Sequence, residues 1–216
     1  DSIMKVLVTG FDPFGGEPVN PAFEAVKRLP RTIAGAHVDI LEIPTVFHKS
    51  IEAIVKRAEE MCADRILMVG QAGGRFEITV ERVGINVDDA RIPDNEGNRP
   101  IDVPIDPDGP AAHFATLPVK AMTERIRSRG IPAKVSNTAG TFVCNHVLYG
   151  VLNAVAKKGL PVKAGFIHVP YLPEQAAGKD SVPSMSAATI AAALEAAVEA
   201  MVTTGEDVKI SGGREY

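Results

Sequence analysis

Several short runs of apolar residues do not alternate with polar ones: Val6-Leu7-Val8, Ile66-Leu67-Met68-Val69 and, broken only by His168, Phe166 to Val169. A strand with one wetted face alternates apolar and polar residues. A strand covered on both faces does not, which is the situation inside a parallel sheet flanked by helices. Between these runs lie segments with helical periodicity. In 49–61 and just beyond, Ile51, Ile54, Val55, Ala58 and Cys62 fall on one stripe. Strands alternating with helices predict an α/β chain: a three-layer α/β/α sandwich around a mainly parallel, partly mixed central sheet. Expected strands cover 4–10, 37–43, 65–70, 133–136 and 162–170. Expected helices cover 20–29, 49–61, 119–129, 142–158 and 186–203. Asn20-Pro21 suits a helix start, and Lys157-Lys158-Gly159 suits a helix end. The C-terminal tail is expected to add a short strand.

Residues 76–87 read as two strands, or one bent at Gly84, supplying the antiparallel part of the sheet. There Glu81 shares strand parity with Val83, Ile85 and Val87, so its carboxylate is either at an edge or paired in a site. The proline-rich stretch 88–118 is the least regular region, a lid, a hairpin or a subunit contact. A single domain over 4–216 is expected, with residues 1–3 read as an artificial or disordered extension. Asp1-Ser2-Ile3 has neither the basic start nor the apolar core of a secretory leader.

Composition removes some functions. The net charge is −4 with signs interspersed, so no basic stripe points to nucleic acid. No apolar run reaches the roughly 20 residues of a membrane span. The glycines of Gly10-Phe11-Asp12-Pro13-Phe14-Gly15-Gly16 lack the spacing of a phosphate loop; Phe11 and Phe14 suit either a core or a pocket wall. With only Cys62 and Cys144, a disulfide framework is not indicated, and a reducing, cytoplasmic setting is. Cys62, at the end of a helical stripe, reads as a small buried thiol.

Cys144 stands apart. It falls in the first turn of the expected helix 142–158, where unpaired backbone N–H groups and the helix dipole favour an anion. A cysteine nucleophile needs a base. His146 is two positions along the same helix and faces elsewhere, so it reads as a packing or surface histidine. His37 and His48 start elements and read as solvated; His113 lies in the loop. His168 sits near the end of the strand that follows the Cys144 helix, where strand ends and helix starts share one edge. It reads as a structural or a catalytic histidine, with Glu81 as the natural group to orient it. Cys144 and His146 lack zinc-ligand spacing, and Cys-x-x-Cys is absent.

Several motifs resemble those of the pyroglutamyl peptidase I (pyrrolidone carboxyl peptidase) family: Gly10 to Gly16, Gly70-Gln71-Ala72-Gly73-Gly74-Arg75, Val80 to Asn86, Asp89 to Asn95, Ser136 to Gly150, and Ile167-His168-Val169-Pro170-Tyr171. The resemblance runs through nearly the whole chain from Met4. It implies a Cys144–His168–Glu81 triad that removes N-terminal pyroglutamate from peptides through a thioester. Phe11, Phe14, Gln71, Ile92, Phe142 and Val143 match the family's substrate pocket. Arg91 matches an arginine near the thiol with a supporting or oxyanion-side role. The resemblance further implies no metal or cofactor, peptide substrates, a cytoplasmic location and a homodimer or homotetramer. The residues themselves leave two alternatives: another thiol-dependent amidase or acyltransferase, or a ligand-binding α/β protein with an inert thiol.

Overall fold

The computed structural model describes residues 3–215; Asp1 and Ser2 of the expected N-terminal extension, and Tyr216, lie outside the described residues. Nine strands and six helices follow in chain order: β1 (Lys5–Phe11), α1 (Pro21–Val26), β2 (Thr32–Ile33), β3 (Ala36–Ile43), α2 (Lys49–Met61), β4 (Arg65–Gln71), β5 (Ile78–Glu81), β6 (Val83–Ile85), β7 (Ala112–Phe114), α3 (Val119–Ser128), β8 (Ala133–Ser136), α4 (Val143–Lys158), β9 (Lys163–Val169), α5 (Pro173–Ala176) and α6 (Ala187–Thr203). Seven strands form the central sheet in the order β2-β3-β1-β4-β9-β5-β8. Its centre, β3-β1-β4-β9, is parallel; β5 runs antiparallel to β9 and β2 antiparallel to β3. The expected mixed three-layer sandwich is the observed one.

The uninterrupted apolar runs divide by parity between two cores. Val6, Val8, Leu67, Val69, Ile167 and Val169 face α1, α3 and α6. Leu7, Ile66, Met68 and Phe166 face α2 and α4. Each strand therefore buries both faces, which is why no polar alternation is visible in its sequence. Helix ends follow local chemistry. Asn20 caps α1 through Ala22 N at 3.0 Å, Ser186 caps α6 through Thr189 N at 3.1 Å, and Gly159 closes α4 at φ 61°.

Three expectations change. The 76–87 segment breaks at Arg82, so β5 joins the main sheet while β6 pairs with β7 in a separate ribbon. Gly84 permits that departure: a Cβ there would lie 2.8 Å from the backbone N of Tyr149 in α4. The tail after Thr203 forms no strand among the described residues. Instead Asp207 accepts from Lys120 N and Ala121 N, capping α3, whose own N-cap residue is Pro118. Cys62 is exposed rather than buried, because it occupies the left-handed C-cap of α2 at φ 55°.

The long 88–118 stretch is irregular but stitched down. Asp94 is buried and accepts from Phe47 N, Glu96 N, Asn98 N and Asn98 Nδ2 at 2.8–2.9 Å. Asn95 donates to Asp12 Oδ1 and Pro13 O, and Asp12 Oδ1 also accepts from Thr45. Three loops at the C-terminal edge of the parallel strands thus become one polar knot. Burial alone would raise the Asp94 pKa, but the Asn98, Phe47 and Glu96 donors outweigh it and hold it below its ordinary 3.8. A carboxyl with a lowered folded-state pKa stabilises the fold above its unfolded pKa and loses that contribution as pH falls through the folded value. Asp94→Asn sets an NH2 against N–H donors and is expected to cost about 1–3 kcal/mol at pH 7. In urea titrations the gap to the parent should narrow as pH drops below about 4; a gap constant from pH 7 to pH 3 overturns the assignment.

Candidate active site

β4 and β9 end side by side, with Gly70 in register with His168 and Gln71 with Val169. Gly70 and His168 share the sheet face that carries Phe166 and the α4 packing. A Cβ on Gly70 would lie 2.6 Å from Cys144 Sγ, 2.7 Å from Phe166 Cζ and 3.3 Å from Phe11 Cε2. The sulfur therefore rests directly on the glycine beside His168, in a hollow that no larger residue would leave open. Cys144 is the second residue of α4, whose N-cap, Phe142, is extended and carries no capping side chain. The first intrahelical bond is donated by His146 N to Phe142 O, so the N–H groups of Val143, Cys144 and Asn145 have no partner within the helix.

His168 is 4 % exposed and its Nδ1 lies 2.9 Å from Glu81 Oε1. The register explains the contact: Glu81 pairs with Phe166 and Thr79 with His168 across the antiparallel β9–β5 ladder, so Glu81 and His168 are diagonal neighbours on one face. A carboxylate only accepts, so Nδ1 carries the hydrogen of this bond. Glu81 is fully buried, and the same Oε1 accepts from Arg75 Nη1 at 2.7 Å. Arg75 also donates to Thr79 Oγ1 at 2.8 Å and to the Thr138 carbonyl at 3.1 Å, tying β5 to the segment that leads into α4. Burial would raise the Glu81 pKa; the His168 and Arg75 interactions outweigh it and lower it.

The sulfur behaves differently from the helix-start expectation. Burial pushes the Cys144 thiol pKa well above its ordinary value, the Glu81 charge adds to this, and Arg75 opposes it. Cys144 as a whole is half-buried, and the packing of its sulfur on Gly70 together with the Glu81 charge favours the neutral thiol, which needs a proton acceptor.

The pocket candidates separate. Phe11 is buried at the end of β1; Phe14 packs on Phe142 at 5.9 Å between ring centroids, and Phe47 meets Phe142 edge-on at 5.5 Å. Ile92 is 37 % exposed, with Cδ1 3.9 Å from the position of a Cβ on Gly15. Val143 is buried in the core. Gln71 differs from expectation. Strand alternation turns its side chain to the face opposite Gly70, where its Oε1 accepts from Gln175 Nε2 at 3.0 Å. Ala72 N donates to Val169 O, so the backbone N–H and C=O of Gln71 face the β1 side, next to Phe11. Arg91 is exposed and takes part in none of the ion pairs among the described residues. The guanidinium beside the histidine is that of Arg75, to which the sequence alone assigns no role; its place six residues before Glu81, next to a turn, is the available signal.

His146 is a packing residue, fully buried and satisfied: Nδ1 lies 2.9 Å from Asp88 Oδ1, and Nε2 accepts from His48 N at 2.8 Å. Ligand atoms of His48, Asp88 and His146 fall within 4.8 Å of one another, but both His146 nitrogens are committed to these bonds. Asn145 is also buried, bonding Ile85 N, Ile85 O and Val87 O. These two residues, immediately after the thiol in the chain, anchor the loop to α4. An apolar cavity of about 380 Å³ beside Cys62, Ala63 and Val155 lies at the opposite edge of the sheet, away from these groups.

A family model described as pyroglutamyl peptidase matches residues 4–204. A pyrrolidone-carboxylate peptidase of Clostridium perfringens is 59% identical over 97% of this chain and 99% of its own. One from Treponema denticola is 56% identical over 98% and 99%. Among solved structures, pyroglutamyl peptidase I of Bacillus amyloliquefaciens superposes with a TM-score of 0.94 at 47% identity, covering 97% of this chain and all of that one. The pyrrolidone carboxyl peptidase of the hyperthermophile Pyrococcus furiosus gives 0.88 at 46% identity, covering 92% and 98%. With the match spanning nearly the whole chain, the protein belongs to the pyroglutamyl peptidase family.

Proposed function

We propose that the chain is a cysteine exopeptidase that hydrolyses the N-terminal pyroglutamyl residue from peptides, with Cys144 as nucleophile, His168 as base and Glu81 as its orienting carboxylate. The observation that carries this reading is the Glu81–His168 contact beneath a thiol seated on Gly70, the residue in register with His168. His168 Nε2 takes the Cys144 proton, and the thiolate attacks the pyroglutamyl carbonyl carbon. Glu81 stabilises the imidazolium. Unpaired N–H groups at the start of α4 receive the oxyanion. The imidazolium then protonates the departing amine, which leaves the pyroglutamyl thioester. Water, deprotonated by His168, attacks the thioester and returns the thiol.

Specificity rests on the β1 side of the thiol. Phe11, Phe14, Ile92, Phe142 and Val143 suit the methylenes of a lactam ring. The Gln71 contribution to the lactam amide is its backbone N–H and C=O, since its side chain is held by Gln175. Arg91 keeps a supporting role at the mouth beside Ile92, and Arg75 holds the catalytic carboxylate. An N-terminal glutamate would bring an ammonium and a carboxylate into this apolar slot unpaired, at a cost. Self-association as a dimer or tetramer is part of the same reading, supported by the exposed Phe76, Ile85, Ile101, Val103 and Phe114. A cytoplasmic location fits two free cysteines. No helix among the described residues is long and apolar enough to cross a membrane.

Pyroglutamyl-aminomethylcoumarin is expected to be cleaved, with the prolyl and glutamyl analogues turned over at least about 100-fold less efficiently; equal rates on all three overturn the lactam reading. Cys144→Ala should abolish turnover, and Glu81→Gln should lower kcat by about 10²–10⁴-fold while the far-ultraviolet spectrum is kept. Normal activity in Cys144→Ala rules out the nucleophile. Arg75→Ala should lower kcat by about tenfold or more and also lower the melting temperature, because it strips a partner from a buried charge. Unchanged kcat and stability in that variant remove Arg75 from the site.

A further inference from the structure

The central sheet has one face that helices do not fully cover. On the α4 side, α2 and α4 pack over β1, β3, β4 and β9. Farther along, β5 and β8 present Thr79, Glu81, Lys134 and Ser136 on that side, and none of these is apolar. This polar surface is hollowed into a trough of about 450 Å³. Arg75, Thr79, Val135, Asn137 and Thr138 line it, together with Arg214 and Glu215 of the C-terminal tail.

The tail is held in place by specific bonds. Asp207 caps α3, Arg82 donates to the carbonyl of Gly212, and Asn137 Nδ2 donates to the carbonyl of Arg214 at 3.1 Å. Gly213 takes φ 91° where the tail turns against Asn137, a conformation that favours glycine.

We propose that the trough is the subsite for the peptide chain that follows the pyroglutamyl residue, and that the C-terminal tail forms its outer wall. The proposal rests on the peptidase reading above. The candidate lactam pocket lies on the β1 side of Cys144, so the rest of the substrate must leave on the other side, over β9 towards β5 and β8. The trough adjoins the site on that side, because Arg75 and Thr79 belong both to its lining and to the Glu81 hydrogen-bond network. Three strand spacings separate β4 from β8, roughly 14 Å, which an extended peptide crosses in about four residues. The charges inside the trough are mostly spoken for. Lys134 and Glu77 pair at 3.1 Å and Arg75 pairs with Glu81, whereas Arg214 is in no ion pair among the described residues. A main-chain carboxylate or acidic side chain near the fourth residue after pyroglutamate is the group Arg214 can meet.

The test measures kcat/KM for pyroglutamyl-aminomethylcoumarin and for pyroglutamyl peptides carrying one to six further residues. It uses the full chain, Arg214→Ala, and a chain ending at Val208 that retains the Asp207 cap. For the full chain kcat/KM should rise with length and level off after about the fourth added residue. In both variants the ratio of the longest peptide to the coumarin amide should fall about tenfold, the worth of one lost charged contact. Length-independent kcat/KM in the full chain, or an unchanged ratio in Arg214→Ala, overturns the proposal. Absence of coumarin release by the full chain instead overturns the peptidase reading itself. Should the shortened chain fail to fold, Arg214→Ala alone decides.

Discussion

A carboxylate with no solvent exposure has to be compensated where it stands. Glu81 is compensated twice on one oxygen, by the His168 imidazole and by the Arg75 guanidinium, while Oε2 is buried without a partner. Much of the surrounding architecture serves that arrangement. β5 must run antiparallel to β9 to bring Glu81 diagonal to His168, and β8 must lie outside β5 to seal the carboxylate from water. Arg75 must reach back from the β4–β5 turn, and its bond to the Thr138 carbonyl fixes the segment that delivers Cys144. The antiparallel half of the sheet is thus the part that holds the carboxylate against the imidazole.

The thiol is placed by the parallel half. β4 carries Gly70 near its end because the sulfur of Cys144, the ring of Phe166 and the ring of Phe11 converge on that point. The consequence of such close packing is a desolvated thiol with a raised pKa. Around the site, the Asp12–Thr45–Asn95 knot and the Asp94 donors convert three loops into a fixed rim. His146 and Asn145, which follow Cys144 on α4 and point away from it, hold that rim to the helix.

Most of the secondary structure is legible in the sequence because its causes are local. Continuous apolar runs mark the central strands, Asn20-Pro21 and Gly159 mark helix ends, and β8 and α2 fall on their expected residues. The departures come from packing and from end geometry. The break at Arg82 depends on Gly84 meeting α4, and β2 exists only because β3 is there to pair with it. Among the described residues the tail forms no strand; Asp207 is taken by the bare start of α3. The helical phase of Cys62 predicts burial, whereas the left-handed turn at the end of α2 carries it out to solvent.

The amino-acid sequence by itself determined the α/β class, the helix that carries Cys144 at its start, and the candidacy of His168 and Glu81. Periodicity, capping and strand parity depend on neighbours a few residues away, so one chain read in order reveals them. Only the tertiary structure decided that Arg75 reaches the carboxylate, and that Gln71 turns its side chain away while leaving its backbone towards β1. It also decided that the thiol is desolvated on Gly70. Each of these depends on strand order and register between segments distant in the chain, and that pairing is settled by burial of the whole sheet at once.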